Sequence, residues 1–309
     1  MHVQHPAQHP ATGSAAAAAT PSIHATPAFH NSQPGGSPAS PSPADNARAA
    51  RATQTMRLTF LGTGSAFTMT NFQSNMLLED AGRRLLIDCG GDVRHALAKV
   101  GLGAKDVDGL YVSHLHADHI GGIEWLAFSR YFAKGPKPDL FVNERLAQSL
   151  WDDALKGGMA SHQGVVLTLD HFFETVRRIP RNGRFTWGGT VCQLIQTIHY
   201  MDGYEIVPSF GLIMSNKDRP GVGEIFLTTD TQFCPSQLMD FYKRSAVIFH
   251  DCETTPYKSG VHAHYTELQT LPADVRRKMW LYHYADGPLP DAQADGFAGF
   301  VKPGQVFEF

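Results

Sequence analysis

Between Val112 and Gly122 the chain reads VSHLHADHIGG. Three histidines and an aspartate, His114, His116, Asp118 and His119, fall within six positions. Imidazole and carboxylate are ligands for zinc, and also for manganese or iron. His114 and His116 are two residues apart, so in an extended segment their rings leave on the same side and both can reach one metal. Asp118 and His119 follow where the backbone must turn, and can aim at a neighbouring position. Zinc wants about four ligands, and a two-metal site needs more, so this segment is incomplete on its own.

Further candidates stand directly after apolar runs. LIQTIHY places His199 at a strand terminus, IFLTTDT does the same for Asp230, and MWLYHYADG for His283. Any one of them alone reads as a cap or a satisfied polar group. All three together with the histidine cluster do not.

The elements that must position these groups begin at Met56. MRLTFLGTGSAF starts as an alternating strand and enters a Gly-rich turn. Residues 74–91, SNMLLED and GRRLLIDCGG included, read as two strands joined near Ala81-Gly82. DVRHALAKVGL is a short amphipathic helix ended by Gly101. The strand at 108–113 runs into the histidine cluster, and IGGIEWLAFSRYF follows as a helix. Strands are predicted at 138–142, 165–169, 189–198, 208–215, 223–229, 245–250 and 279–284, and helices at 143–157, 235–243 and 265–270, with a weaker helix after Pro272. This is a mixed chain with no repeat of fixed period, although a doubled β-rich half is compatible with it.

HLHADH at 114–119 resembles the HxHxDH signature of the metallo-β-lactamase superfamily, and the rest falls in the family's order. LLIDCGG supplies the Asp that precedes the signature, and His199, Asp230 and His283 follow as His, Asp, His. The resemblance covers 56–309 and implies an α+β fold, a four-layer αβ/βα sandwich with metals where strand ends meet. It implies two divalent ions, zinc or alternatively manganese. His114, His116 and His199 would hold one, Asp118, His119 and His283 the other, and Asp230 would bridge them. Asp118 counts as catalytic as well as ligating. Asp88 would stand behind the ligands and orient a histidine by accepting its other N–H. Flavodiiron oxidoreductases of the superfamily tend to carry Glu where His116 stands, so hydrolysis is favoured over redox chemistry. Two metals clamp a water or hydroxide and lower its pKa toward neutrality for attack on a carbonyl carbon or a phosphorus.

Three features narrow the branch. LGTGSA at 61–66, with Ser74-Asn75, resembles the opening of the ribonuclease Z and phosphodiesterase group. HDCETTPYKSGVHAHYTEL at 250–268 resembles that group's His-Glu-Ala-Thr and His-Ser-Thr segments. His264 then corresponds to the histidine that helps the leaving group or a phosphate oxygen. Asp251 stands where the orienting Glu would be, and His262 is a competing candidate. The third feature is an absence. Transfer-RNA enzymes of this kind usually insert a Gly/Pro-rich arm between the third-motif His and the bridging Asp. Here 200–229 read as a single hairpin. The expected function is therefore dinuclear hydrolysis of a small or cyclic phosphodiester. The alternatives are a ribonuclease Z-type tRNA 3′-processing endonuclease, an esterase or lactonase, and a metal-bound sensor without activity.

Composition supports this order. Of 26 basic and 29 acidic residues, two basic and one acidic lie in 1–55, leaving 24 and 28. A nucleic-acid platform would favour a basic excess. Cys89, Cys192, Cys234 and Cys252 form no CxxC pair, which argues against a thiolate zinc site and fits a reduced cytoplasmic setting. No run approaches the ~18 apolar residues of a membrane span. Residues 1–55 are rich in Ala, Pro, Ser, Thr and His and read as a disordered, dispensable tail, separate from a hydrolase domain at 56–309. The aromatics Trp125, Phe128, Tyr131, Phe132, Phe172 and Phe173 read as ordinary core; the competing use is a pocket wall or a homodimer face.

Overall fold

The computed structural model describes residues 55–216 and 220–309. The tail expected over 1–55 lies outside the described residues, Thr55 excepted. The strands are β1 (Arg57–Gly62), β2 (Asn75–Asp80), β3 (Arg83–Ile87), β4 (Gly109–Val112), β5 (Asp139–Asn143), β6 (Ser161–His162), β7 (Val165–Val166), β8 (Val176–Ile179), β9 (Arg184–Trp187), β10 (Thr190–Asp202), β11 (Glu205–Ser215), β12 (Glu224–Leu227), β13 (Ser245–Asp251), β14 (Met279–Tyr282), β15 (Gly299–Phe300) and β16 (Val306–Glu308). They form two seven-stranded sheets, ordered β16-β1-β2-β3-β4-β5-β8 and β15-β14-β13-β12-β11-β10-β9, with β6 and β7 as a separate ribbon.

The two sheets share one pairing pattern. From β16 to β8, three antiparallel pairings precede three parallel ones. From β9 to β15 the same order recurs. The doubled half is thus a doubling of topology rather than of sequence.

Alternation along the strands builds the layers. On β13, Val247 and Phe249 join the core shared with the first sheet, whereas Ile248 joins the core beneath the helices on the other face. Phe60 of β1 meets Phe249 and Tyr282 with ring centroids 4.9 and 5.4 Å away, which ties the two sheets together. Burying a side chain of this size stabilises by roughly 1.5–3 kcal/mol. The helix Pro235–Arg244 covers the outer face of the second sheet. It opens with Pro at its first turn, buries Leu238 and Tyr242 one turn apart, and ends with Lys243 and Arg244, cations suited to its C-terminus. Helices Val93–Lys99 and Ile123–Ala133 bury Val93, Leu97, Ile123 and Leu126 in the core of the first half. The result is the four-layer sandwich of the metallo-β-lactamase fold.

Several expectations are corrected. The strand expected over 165–169 is only the two-residue β7, followed by the helix Leu169–Phe172. β8 and β9 were not expected; in VRRI two consecutive exposed arginines break the alternation, and RFTW alternates but over only four residues, both strands lying at sheet edges. Within 200–229 the expected antiparallel pair is present as β11 and β12, and β10 runs on to Asp202 to pair with the other edge of β11. The helix over 143–157 is interrupted, with a π-helical stretch at Leu150–Leu155. Among the aromatics, Phe172 and Phe173 are buried, whereas Phe132 is exposed. The described cysteines are all free. No helix among the described residues is long and apolar enough to cross a membrane.

Candidate metal centre

The candidate ligands collect where both sheets end. His114 and His116 leave the end of β4, and Asp118 and His119 lie on the short helix Ala117–Ile120 that follows. His199 sits on β10 where the register shifts between Ile198 and Tyr200, a bulge that re-aims a side chain. Asp230, Asp251 and His283 stand at or just beyond the ends of β12, β13 and β14. These strands are parallel, and the crevice beyond their carboxyl ends is where α/β sheets bind ligands.

Three non-glycine residues here hold left-handed backbone: Asp88 at φ 61°, Thr229 at φ 52° and His283 at φ 65°. Such geometry is uncommon and concentrates at functional sites. Gly90, in LLIDCGG, packs against the helix that bears Asp118. A Cβ at Gly90 would approach the Asp118 carbonyl oxygen to 2.2 Å, so only glycine lets the loop lie there. Asn75, of the Ser74-Asn75 pair, holds the same loop by accepting from the Gly90 N–H at 2.6 Å.

The side chains form overlapping groups in which the potential ligand atoms all lie within 4.8 Å of one another. One contains His114, His116, His199 and Asp230; a second contains Asp118, His119, Asp230 and His283. A third contains Asp230, Asp251, His262 and His283. Asp230 belongs to all three. Its Oδ2 lies 3.5 Å from His114 Nε2, 3.2 Å from His119 Nε2, 3.7 Å from His199 Nε2 and 3.5 Å from His283 Nε2.

The partners behind these atoms fix their orientation. Asp88 accepts from Ser113 N and Oγ at 2.8 and 2.7 Å and from His119 Nδ1 at 2.8 Å, which turns His119 Nε2 toward Asp230. His199 Nδ1 donates to the Val261 carbonyl at 3.1 Å. Asp251 Oδ2 accepts from Thr231 N at 2.9 Å and from His262 Nδ1 at 2.8 Å.

Electrostatics follow from burial. Burial pushes His114 well below the ordinary histidine pKa and brings His199 to about 4. Burial disfavours charge on His119 too, but Asp230, Asp118 and Asp88 outweigh it and hold its pKa well up. Burial opposes the charge on Asp230 as well, yet His119, His283 and His114 keep it firmly ionised. Burial likewise opposes a proton on His262, and neighbouring Asp251 wins, raising it to about 9.

This donor set fits divalent metal. Asp88, Asp118, Asp230 and Asp251 are four buried carboxylates in one cluster. Both oxygens of Asp230, one of Asp251, and Nε2 of His114 and His119 are buried without a hydrogen bond. Buried polar atoms are normally paired, and buried charge is compensated or coordinates metal. His116 Nδ1 and His199 Nε2 also face each other at 3.0 Å, both pointed into the same space. Asp88→Asn is expected to lower metal affinity about 10–100-fold by releasing His119, measured by competition with a chelator.

His264 departs from expectation. It caps the helix Tyr265–Leu268, with Nδ1 2.8 Å from Thr266 Oγ1 and Nε2 2.9 Å from the Thr255 carbonyl. Its backbone bridges to Glu253. Both ring nitrogens are thus committed to the protein, and the histidine paired with Asp251 is the competing candidate, His262. The two stand two residues apart in HAH, and the spacing alone does not say which one the helix takes as its cap. Also outside the sequence reading is a cavity of about 320 Å³ beside the ligands, lined by His116, His262, His283, Glu253, Phe67 and Tyr257 among others. Phe67 follows the recognised LGTGSA, the one signal that pointed toward it.

Residues 56–307 match the family described as anti-Pycsar protein Apyc1. The anti-Pycsar protein Apyc1 of Paenibacillus harenae is 35% identical over 254 residues, covering 82% of this chain and 100% of that protein. That of Bacillus phage vB_BveM-Goe7 is 35% identical over 272 residues, covering 81% and 97%. Among solved structures, the metallo-β-lactamase fold protein YhfI from Bacillus subtilis is similar with a TM-score of 0.64 at 18% identity, over 83% of this chain and 100% of that one. The chain is a metal-dependent hydrolase built on this fold, and by the match along its length and its identity to these relatives it belongs to the anti-Pycsar protein Apyc1 family.

Proposed function

We propose that the protein hydrolyses the phosphodiester bond of a cyclic nucleotide at a centre of two divalent ions, zinc or alternatively manganese. The observation that carries this reading is the cavity. The candidate ligands His116 and His283 open onto about 320 Å³ walled by Phe67, Tyr257 and Val261, a volume for one small molecule with an apolar part. A long basic groove for transfer RNA is not the natural counterpart of such a site, and acidic residues outnumber basic ones over 56–309.

When bound, the ions supply Lewis acidity toward a phosphoryl oxygen and make water a nucleophile at neutral pH. His114, His116 and His199 would hold one ion and Asp118, His119 and His283 the other, with Asp230, common to both groups, available to each. Asp88 fixes His119. Asp251 fixes His262 through Nδ1 and leaves its Nε2 for a phosphate oxygen or the departing alkoxide. His264 stabilises the helix that follows.

A panel of four compounds tests the reading on protein loaded with zinc or manganese: a 3′,5′-cyclic nucleotide, bis(p-nitrophenyl) phosphate, a lactone and a precursor transfer RNA. The expected kcat/KM is highest for the cyclic nucleotide. A preference for the lactone would shift the assignment to a carbonyl hydrolase, and specific cleavage of the transfer RNA to an endonuclease.

A further inference from the structure

We propose that Phe67 and Tyr257 form an aromatic platform for the base of the substrate, and that Asp286 is the positioning residue that holds Phe67 in place. The inference rests on the cyclic-nucleotide reading and deepens it.

Phe67 and Tyr257 line the cavity, yet they are 93% and 70% exposed. Two large aromatic residues from separate loops thus stand in water at the mouth of a reactive site, forgoing the burial that normally makes such side chains stabilising. The loop bearing Phe67 is anchored at its far end by Phe72, which packs against the core, and its tip is tied by a carboxylate. Asp286 gathers it through four hydrogen bonds: from Thr68 Oγ1 at 2.6 Å, Met69 N at 2.6 Å, Thr70 Oγ1 at 2.8 Å and Asn71 Nδ2 at 2.6 Å. Slight burial works against the Asp286 charge, but these donors outweigh it and hold the carboxyl at about 2, so the clasp stays anionic. The tight base of the loop needs Gly64, where a Cβ would meet the Thr68 side chain at 2.5 Å.

The clasp and the metal centre share one segment. His283 is a candidate ligand, the Tyr284 carbonyl accepts from Ser65 N at 3.1 Å, Ala285 lines the cavity, and Asp286 closes the loop. Three residues of chain, Tyr284 to Asp286, thus connect the candidate ligand His283 to the loop that carries Phe67. A cyclic nucleotide presents one phosphodiester and one flat base at a fixed separation. Every base has a π-face, so stacking on a ring is tolerant of base identity. Pre-ordering that ring lowers the cost of binding.

The test measures kcat and KM for cyclic CMP, cyclic AMP and ribose 3′,5′-cyclic phosphate, which keeps the phosphodiester and lacks the base. Phe67→Ala is expected to raise KM for both nucleotides about 10–100-fold, with kcat and metal content retained, because the lost contact is made equally in ground and transition states. The base-free substrate should show no such rise, and Phe67→Trp should keep the parental KM. Tyr257→Ala should act in the same direction. Asp286→Ala should raise KM alone but add nothing in the Phe67→Ala background, since both act on one contact. An active parent enzyme with unchanged KM in Phe67→Ala overturns the platform, as does an equal loss on the base-free substrate or a change of oligomeric state without a change in KM. Additive losses overturn the role of Asp286. A parent enzyme without activity on any cyclic nucleotide overturns the platform together with the function it rests on.

Discussion

Asp230→Asn is expected to abolish turnover and to reduce bound metal sharply, while far-ultraviolet circular dichroism stays that of the parent. Asp230 Oδ2 lies within 3.2–3.7 Å of imidazole nitrogens from His114, His119, His199 and His283, and neither carboxylate oxygen makes a hydrogen bond. An amide keeps the shape but removes the charge and one of the two acceptor oxygens. A ligand shared by two ions cannot then serve both. The loss should exceed by orders of magnitude the about 10–100-fold typical of a residue that only orients a ligand. Metal content by elemental analysis and kcat on bis(p-nitrophenyl) phosphate check it. A variant that turns over near the parental rate would show that the shared ligand is misassigned.

His262→Ala carries the second large effect. With Nδ1 held by Asp251 at 2.8 Å, the other nitrogen of His262 is presented beside His283 and His116 in the cavity wall. As an acid toward a poor alkoxide leaving group it contributes about 10²–10⁴-fold, so kcat for a cyclic nucleotide should fall by that factor with both ions retained. A nitrophenolate needs little protonation, and the loss on its ester should be much smaller. Equal losses on the two substrates would reassign His262 to binding a phosphate oxygen, and loss of metal would make it a ligand. His264→Ala is the matched control. It should cost about 0.5–2 kcal/mol of stability, as a lost helix cap does, and leave the pattern across substrates unchanged.

The contrast between these two histidines shows what the chain makes legible. The pattern HLHADH points to metal chemistry because four imidazole and carboxylate side chains within six residues have few other uses, and the polar residues closing apolar strands locate the remaining candidates. Strands β10 to β14 are apolar and regular, so their positions can be read within a few residues. β8 and β9 could not, since β8 places consecutive exposed arginines on both faces and β9 alternates over only four residues. The choice between His262 and His264 depends on which residue caps the helix Tyr265–Leu268 and on the Glu253–His264 bridge, contacts between segments that no local pattern encodes. The left-handed backbone at Asp88, Thr229 and His283 was equally invisible, because none of these residues is glycine.

The candidate ligand groups draw on both sheets: His114 to His119 follow β4 of the first, whereas His199 lies on β10 and Asp230 and His283 follow β12 and β14 of the second. Metal held there would act as a rivet across the halves of the sandwich. Binding that requires the folded arrangement is added to folding stability, about 4 kcal/mol when free metal stands a thousandfold above its dissociation constant. A stability of this kind is borrowed from the surroundings. Metal supply would then set how much folded enzyme persists as well as how fast each molecule works, and a chelator is expected to shorten the lifetime of the protein along with lowering its rate.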